Sequence, residues 1–233
     1  MFTKATLDLF KKNQSLFICI FSVLIFQLTL TFTVFYSLKD QENPLREKLY
    51  KNYPIVKERP ILFFLIIPII FTYFILIAIH LTPSFPIKLA LFSVFAVFKA
   101  FFLTLTHTFI SNEVIMFGLL ATIGIFVLML FFASVLINMK FDMLQYGGLL
   151  FSCLLTIFFI SLINLFFLQD SLVTNILRFC ILVIMTIYII YDTYEILYRQ
   201  GIFTSDCVSG AIDYYIDFMS IFRNLTKLAD DFN

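Results

Sequence analysis

Apolar residues run through this chain in long unbroken blocks, without the every-second rhythm of a half-buried strand. Six such blocks stand out, at about 15–37, 61–81, 87–110, 114–137, 145–168 and 172–196. A bilayer's hydrocarbon core, about 30 Å thick, takes about 20 mainly apolar residues of helix to cross, and each block meets that length. Spanning barrels are excluded, because their strands alternate in polarity. The first block is longer than the apolar core of a signal peptide and no A-x-A cleavage pattern follows it, so it reads as an anchor.

A seventh segment, about 208–228, differs in kind. It carries Asp213, Asp217, Ser220, Arg223, Asn224 and Lys227 among Tyr, Ile, Phe and Met. An ionised side chain at the centre of a spanning helix costs about 2.5–3.5 kcal/mol even on the lenient insertion scale. Such a helix belongs inside a jacket of other helices or beside water. The pattern therefore predicts an all-α polytopic membrane protein, a seven-helix bundle whose polar seventh helix is enclosed by six apolar ones. The expected organisation is a cytosolic segment at 1–14, a single transmembrane domain at 15–228 and a short tail at 229–233.

Composition sharpens this picture. Of 233 residues, 61% are hydrophobic and only 13% charged, whereas a soluble domain carries about a quarter charged residues. The net charge of +1 gives no reason to expect nucleic acid as a partner. The lipid bilayer is the expected surrounding. Lys4, Lys11, Lys12, Lys88, Lys140 and Arg199 favour a cytosolic N-terminus by the positive-inside rule, although the basic residues of the 39–60 connector oppose it. Cys19, Cys153, Cys180 and Cys207 show no CxxC or metal-ligand spacing, and three of them lie in apolar blocks. They read as small hydrophobes, and a disulfide framework is not expected. Gly118, Gly124, Gly147 and Gly148 read as sites of close helix packing.

The chemistry sits on acids. Asp213 and Asp217, four residues apart, share one helix face, and Asp192 in "IIYDTYEI" lies near the end of the preceding span, where it can meet either. Two carboxylates about 4 Å apart at an effective dielectric near 20 repel by about 4 kcal/mol, enough for the pair to hold one proton jointly at neutral pH. Such a pair is a hydrogen-bonded latch when protonated and a repelling pair or a site for a hard cation when not.

At these residues a resemblance becomes legible. "IIYDTYEI" followed by "GAIDYYIDFMSIFRNL" resembles the end of the transmembrane Bax-inhibitor-motif family. "KFDMLQYGGLLFSCLLTIFF" resembles that family's segment before the fifth span. "FPIKLALFSVFAVFKAFFLT" and "VIMFGLLATIGIFVLMLFFA" are similar to its third and fourth spans. The likeness runs in order over about 60–228. It implies a seven-helix bundle with the last helix in the middle, calcium leak from intracellular stores of the endoplasmic reticulum or Golgi, and protection from cell death. Regulators of the Bcl-2 type are the implied protein partners.

The resemblance assigns the pH sensor and pore latch to Asp192 and Asp217, which would also meet calcium, the permeating or bound ion. No other cofactor is implied. Asp213 matches a further acid of some members, and Asp206 approximates an acidic loop position. His80 or Lys88 stands nearest to the basic partner that some members carry. Lys99, deep in the third span, would pair with an acid or snorkel outward, and His107 reads as a hydrogen-bonded structural histidine. An intramembrane aspartyl protease would also use two acids on successive spans. It expects G-x-G-D, however, and here Ile212 stands where the second glycine belongs. A non-conducting scaffold is the third reading.

Overall fold

The computed structural model describes residues 4–40, 60–107, 110–198 and 206–231. Among them are eight α-helices and no strand. They are α1 (Lys4–Lys12), α2 (Gln14–Asp40), α3 (Pro60–Leu81), α4 (Phe85–His107), α5 (Asn112–Asn138), α6 (Gly147–Ile163), α7 (Ser171–Tyr198) and α8 (Cys207–Asp231). All seven expected segments are helical over nearly the expected residues. Lys39 lies in the last turn of α2, and the other connector bases, Arg199 and the loop before Asp206 lie outside the described residues.

Five of these segments are long and apolar enough to cross a bilayer: Gln14–Lys39, Phe85–Thr104, Asn112–Asn138, Leu144–Leu168 and Ser171–Tyr198. This is a multi-pass membrane protein. Burial runs opposite to polarity. In α6 only Leu150 is buried, whereas sixteen of the 25 residues of α8 are, Asp217, Asn224 and Thr226 included. Where lipid replaces water outside, apolar side chains gain nothing by hiding and polar ones lose by facing out.

The chain forms two compact units, Met1–Cys19 with Ile110–Asn233, and Ile20–Phe109. In the first, α8 packs against α5 and α7, which pack against each other, and α6 lies along α7. A cluster of Ala133, Ile137, Met143, Leu150, Ile190, Tyr194 and Leu197 joins α5, α6 and α7, with Leu9, Phe10 and Phe17 against it. In the second, α3 packs on α4, and Gln27 Nε2 of α2 donates to Ser93 Oγ of α4 at 3.0 Å.

Five buried threonine hydroxyls are satisfied within their own helices. Thr31, Thr104, Thr122, Thr193 and Thr226 each donate to the carbonyl four residues earlier at 2.7–2.9 Å. His107 is structural as expected. It is buried, and its Nδ1 lies 3.1 Å from Leu103 O and 2.8 Å from Thr106 Oγ1. Buried Asn13 and Asn224 are also satisfied locally, donating to Leu9 O and Ser220 O.

Two expectations are overturned. Cys19 and Cys207 form a disulfide across 188 residues, because the second turn of α2 meets the first residue of α8. Only half of the glycines serve close packing. A Cβ on Gly118 would fall on Thr226 Oγ1, and one on Gly147 would lie 2.7–2.9 Å from the Tyr191 ring, whereas Gly124 and Gly148 face open space.

The α6–α7 turn shows how a polar side chain ends a spanning helix. After Ile163 the helix widens into a π-turn over Asn164–Leu168, and Gln169 takes a left-handed conformation at φ 51°. Asn164, 5% exposed, donates to Thr174 Oγ1 (2.8 Å) and Asp170 O (3.2 Å) and accepts from Asp170 N (3.1 Å). Asp170 Oδ1 then accepts from Leu172 N and caps α7. Asn164→Ala removes all three bonds at a turn that water can reach. The expected cost is about 1 kcal/mol, read as a lower melting temperature in detergent.

Candidate proton-sharing acid site

Helices α7 and α8 pack antiparallel, as the partners across them show. Arg178 pairs with Asp231, Thr193 with Tyr214 and Asp192 with Asp217, so numbers that rise on one helix fall on the other. The Arg178–Asp231 ion pair fastens one end of this hairpin. Lys227 also feels both Asp230 and Asp231. Asp192 lies fourteen residues beyond Arg178, about 21 Å along the axis, so the acids occupy the other end.

There the carboxyls of Asp192 and Asp217 are hydrogen-bonded to each other. Ionised carboxylates only accept, so this contact requires a proton on one of them. Asp217 is 4% exposed and its Oδ2 is buried without a hydrogen-bond partner, while Asp192 is half-buried. Asp213, half-buried one turn before Asp217, interacts electrostatically with both acids of the pair. Glu195, one turn beyond Asp192, interacts with Asp192 and Asp213.

The expected residues Asp192, Asp213 and Asp217 are thus brought together, and Glu195 joins them unforeseen. Its signal was in the register: on antiparallel helices, a residue three after Asp192 falls opposite one four before Asp217.

The backbone that holds the pair is itself held. Thr193 donates its single hydroxyl proton to Ile189 O at 2.7 Å, so Tyr214 Oη must be the donor in their 2.8 Å contact. Tyr214 is fully buried, and the Phe126 ring of α5 packs edge-on against both Tyr214 (5.4 Å) and Phe218 (5.9 Å). The face of α8 that bears Asp217 is therefore clamped between α5 and α7.

Other expected residues lie elsewhere. Asp206 is a helix cap: its Oδ1 accepts from Val208 N at 3.1 Å, and its carbonyl accepts from Gly210 N. Lys99 and His80 belong to the second unit. Lys99 places its ammonium 5.2 Å from the centre of the Phe95 ring, and His80 is exposed at the end of α3. No three His, Cys, Asp or Glu side chains among the described residues converge closely enough to hold a metal ion.

A family described as "Inhibitor of apoptosis-promoting Bax1" matches residues 13–233, a stretch that contains every span and all four acids. The chain belongs to this family. It is also similar to an uncharacterized protein of Campylobacter jejuni, Cj0236c, at 34% identity over 96 residues. That match covers 41% of this chain and 40% of the relative's length. The resemblance read from the YD and IDF segments is thus the family resemblance of nearly the whole chain.

Proposed function

We propose that this Bax-inhibitor-family protein is a pH-sensitive calcium leak channel of intracellular membranes, gated by the proton that Asp192 and Asp217 hold jointly. Suppression of cell death, through depleted stores and through regulators of the Bcl-2 type, follows as its cellular consequence. The observation that carries the reading is the carboxyl–carboxyl hydrogen bond on a helix that is polar yet buried. A shared proton turns the repulsion between two such acids into attraction.

The sign follows directly. With the proton in place the pair is a latch and α8 stays against α7. As pH rises and the proton leaves, two anions repel, and the face between the helices becomes a path lined by Asp192, Glu195, Asp213 and Asp217. In this reading calcium passes along the acids and does not reside there. On this reading the N-terminus faces the cytosol and the membrane is that of the endoplasmic reticulum or Golgi, which the basic flanks and the family resemblance support.

The test is calcium flux from liposomes that hold the purified full-length protein, stepped from mildly acidic to mildly alkaline pH. Flux is expected to rise at least about tenfold with pH. A flux no greater than that of empty liposomes at every pH overturns the reading. An aspartyl protease would act through Asp192 and Asp213, but the hydrogen-bonded partner of Asp192 is Asp217. We expect no cleavage of a transmembrane reporter.

A further inference from the structure

The disulfide that the sequence hid joins the acid-bearing helix to the N-terminal end of α2. Cys207 is the first residue of α8, and the stretch from Cys207 to Ile212 is buried without interruption. Cys19 stands in the second turn of α2 and is half-buried, so of the two sulfurs it is the more accessible. Asp213 follows Cys207 by six residues and Asp217 by ten, about 9 and 15 Å along the helix. At this end of α8 the fastenings thus include a covalent tie at its first residue, the Tyr214–Thr193 hydrogen bond and the carboxyl pair further in.

With the N-terminus in the cytosol, as proposed above, the tie lies at the membrane face that meets the cellular thiol pool. Disulfides there are transient and are kept for switching.

We infer that Cys19–Cys207 is a reversible thiol–disulfide site, with a dithiol as its co-substrate, and that its reduction releases the start of α8. One thiolate of the dithiol attacks Cys19 Sγ, the Cys19–Cys207 bond breaks, and Cys207 leaves as a thiolate that takes up a proton. The dithiol's second thiolate then attacks its own sulfur in the mixed disulfide. Cys19 is released and protonated, and the dithiol ends as a disulfide. Two electrons pass from the dithiol to the cysteine pair, and the two protons come from its thiols. The released helix start loses its covalent tie to α2, so the acid pair opens with less resistance. This last consequence rests on the channel reading; the thiol chemistry does not.

The experiment uses full-length protein in liposomes, with dithiothreitol as the reductant. After denaturation, maleimide–polyethylene glycol should add to two cysteines, the free Cys153 and Cys180, before reduction and to all four after it. On reduction, amide hydrogen exchange over Cys207–Asp217 should quicken severalfold and calcium flux should rise severalfold. The same treatment should move neither quantity in Cys19→Ser, and Cys207→Ser serves if that variant folds poorly. Four reactive thiols before any reductant, or unchanged exchange over α8 after full reduction, overturns the inference. A wild-type protein that leaks no calcium in either state, while exchange still responds, overturns the channel reading and supports the thiol site.

Discussion

Asp217→Asn is expected to flatten the pH response of calcium leak and to hold flux at its acidic, closed level. The amide at 217 has permanent N–H donors, so it donates to the Asp192 carboxylate at any pH and the latch keeps its hydrogen bond without a titrating proton. Asp192→Asn should do the same from the other side. Asp217→Ala should instead leave the path open at acidic pH, because the alanine offers Asp192 no hydrogen-bonding partner at position 217.

The size of the effect follows from the force that is removed. Two carboxylates about 4 Å apart repel by about 4 kcal/mol at an effective dielectric of about 20, which would shift an open–closed equilibrium on the order of a thousandfold. Water entering the opened path screens part of this, so we expect at least about a tenfold loss of alkaline flux. Flux measured in liposomes across pH decides it. Wild-type flux and pH dependence in both Asn variants would sink the mechanism.

What the sequence disclosed and what it withheld divide along physical lines. The spans were legible because lipid demands about twenty apolar residues at a stretch, and blocks such as 114–137 and 145–168 meet that demand by themselves. Asp192 and Asp217 were legible because an acid in an apolar run is costly enough to need a reason. Their pairing, and that of Arg178 with Asp231, depends on the register between two helices. Register is written in no single segment.

Glu195 was missed for that reason, standing near a helix end where an acid is cheap. The Cys19–Cys207 bond was hidden more deeply. Nothing local to a cysteine in an apolar run tells which helix end, 188 residues away, will meet it. The four glycines looked alike, yet only the two that face Thr226 and Tyr191 need to be glycine for space.

That distinction gives the largest stability effect we expect. Gly118→Ala should destabilise the protein, and Gly124→Ala, six residues along the same helix, should not. At position 118 the new Cβ would land on Thr226 Oγ1, with Thr226 Cβ at 3.2 Å and its Cα at 3.4 Å. The hydroxyl cannot swing aside freely, because it is buried and donates to Phe222 O at 2.7 Å. Relief must come from α5 and α8 moving apart, which loosens the Phe126 contacts that clamp the acid-bearing face. Overpacking of this kind costs typically about 1–3 kcal/mol, against up to about 1 kcal/mol that alanine gains over glycine in helix propensity.

At Gly124, which is exposed with nothing within 4 Å of a Cβ, only the propensity gain operates. Thr226→Ala in the Gly118→Ala background removes the obstructing hydroxyl. It should recover much of the loss, a coupling of about 0.5–3 kcal/mol for residues in contact. Thermal unfolding in detergent of the three variants reads the result. Equal melting temperatures for the two glycine substitutions would show that α5 does not depend on close approach to α8 at Thr226.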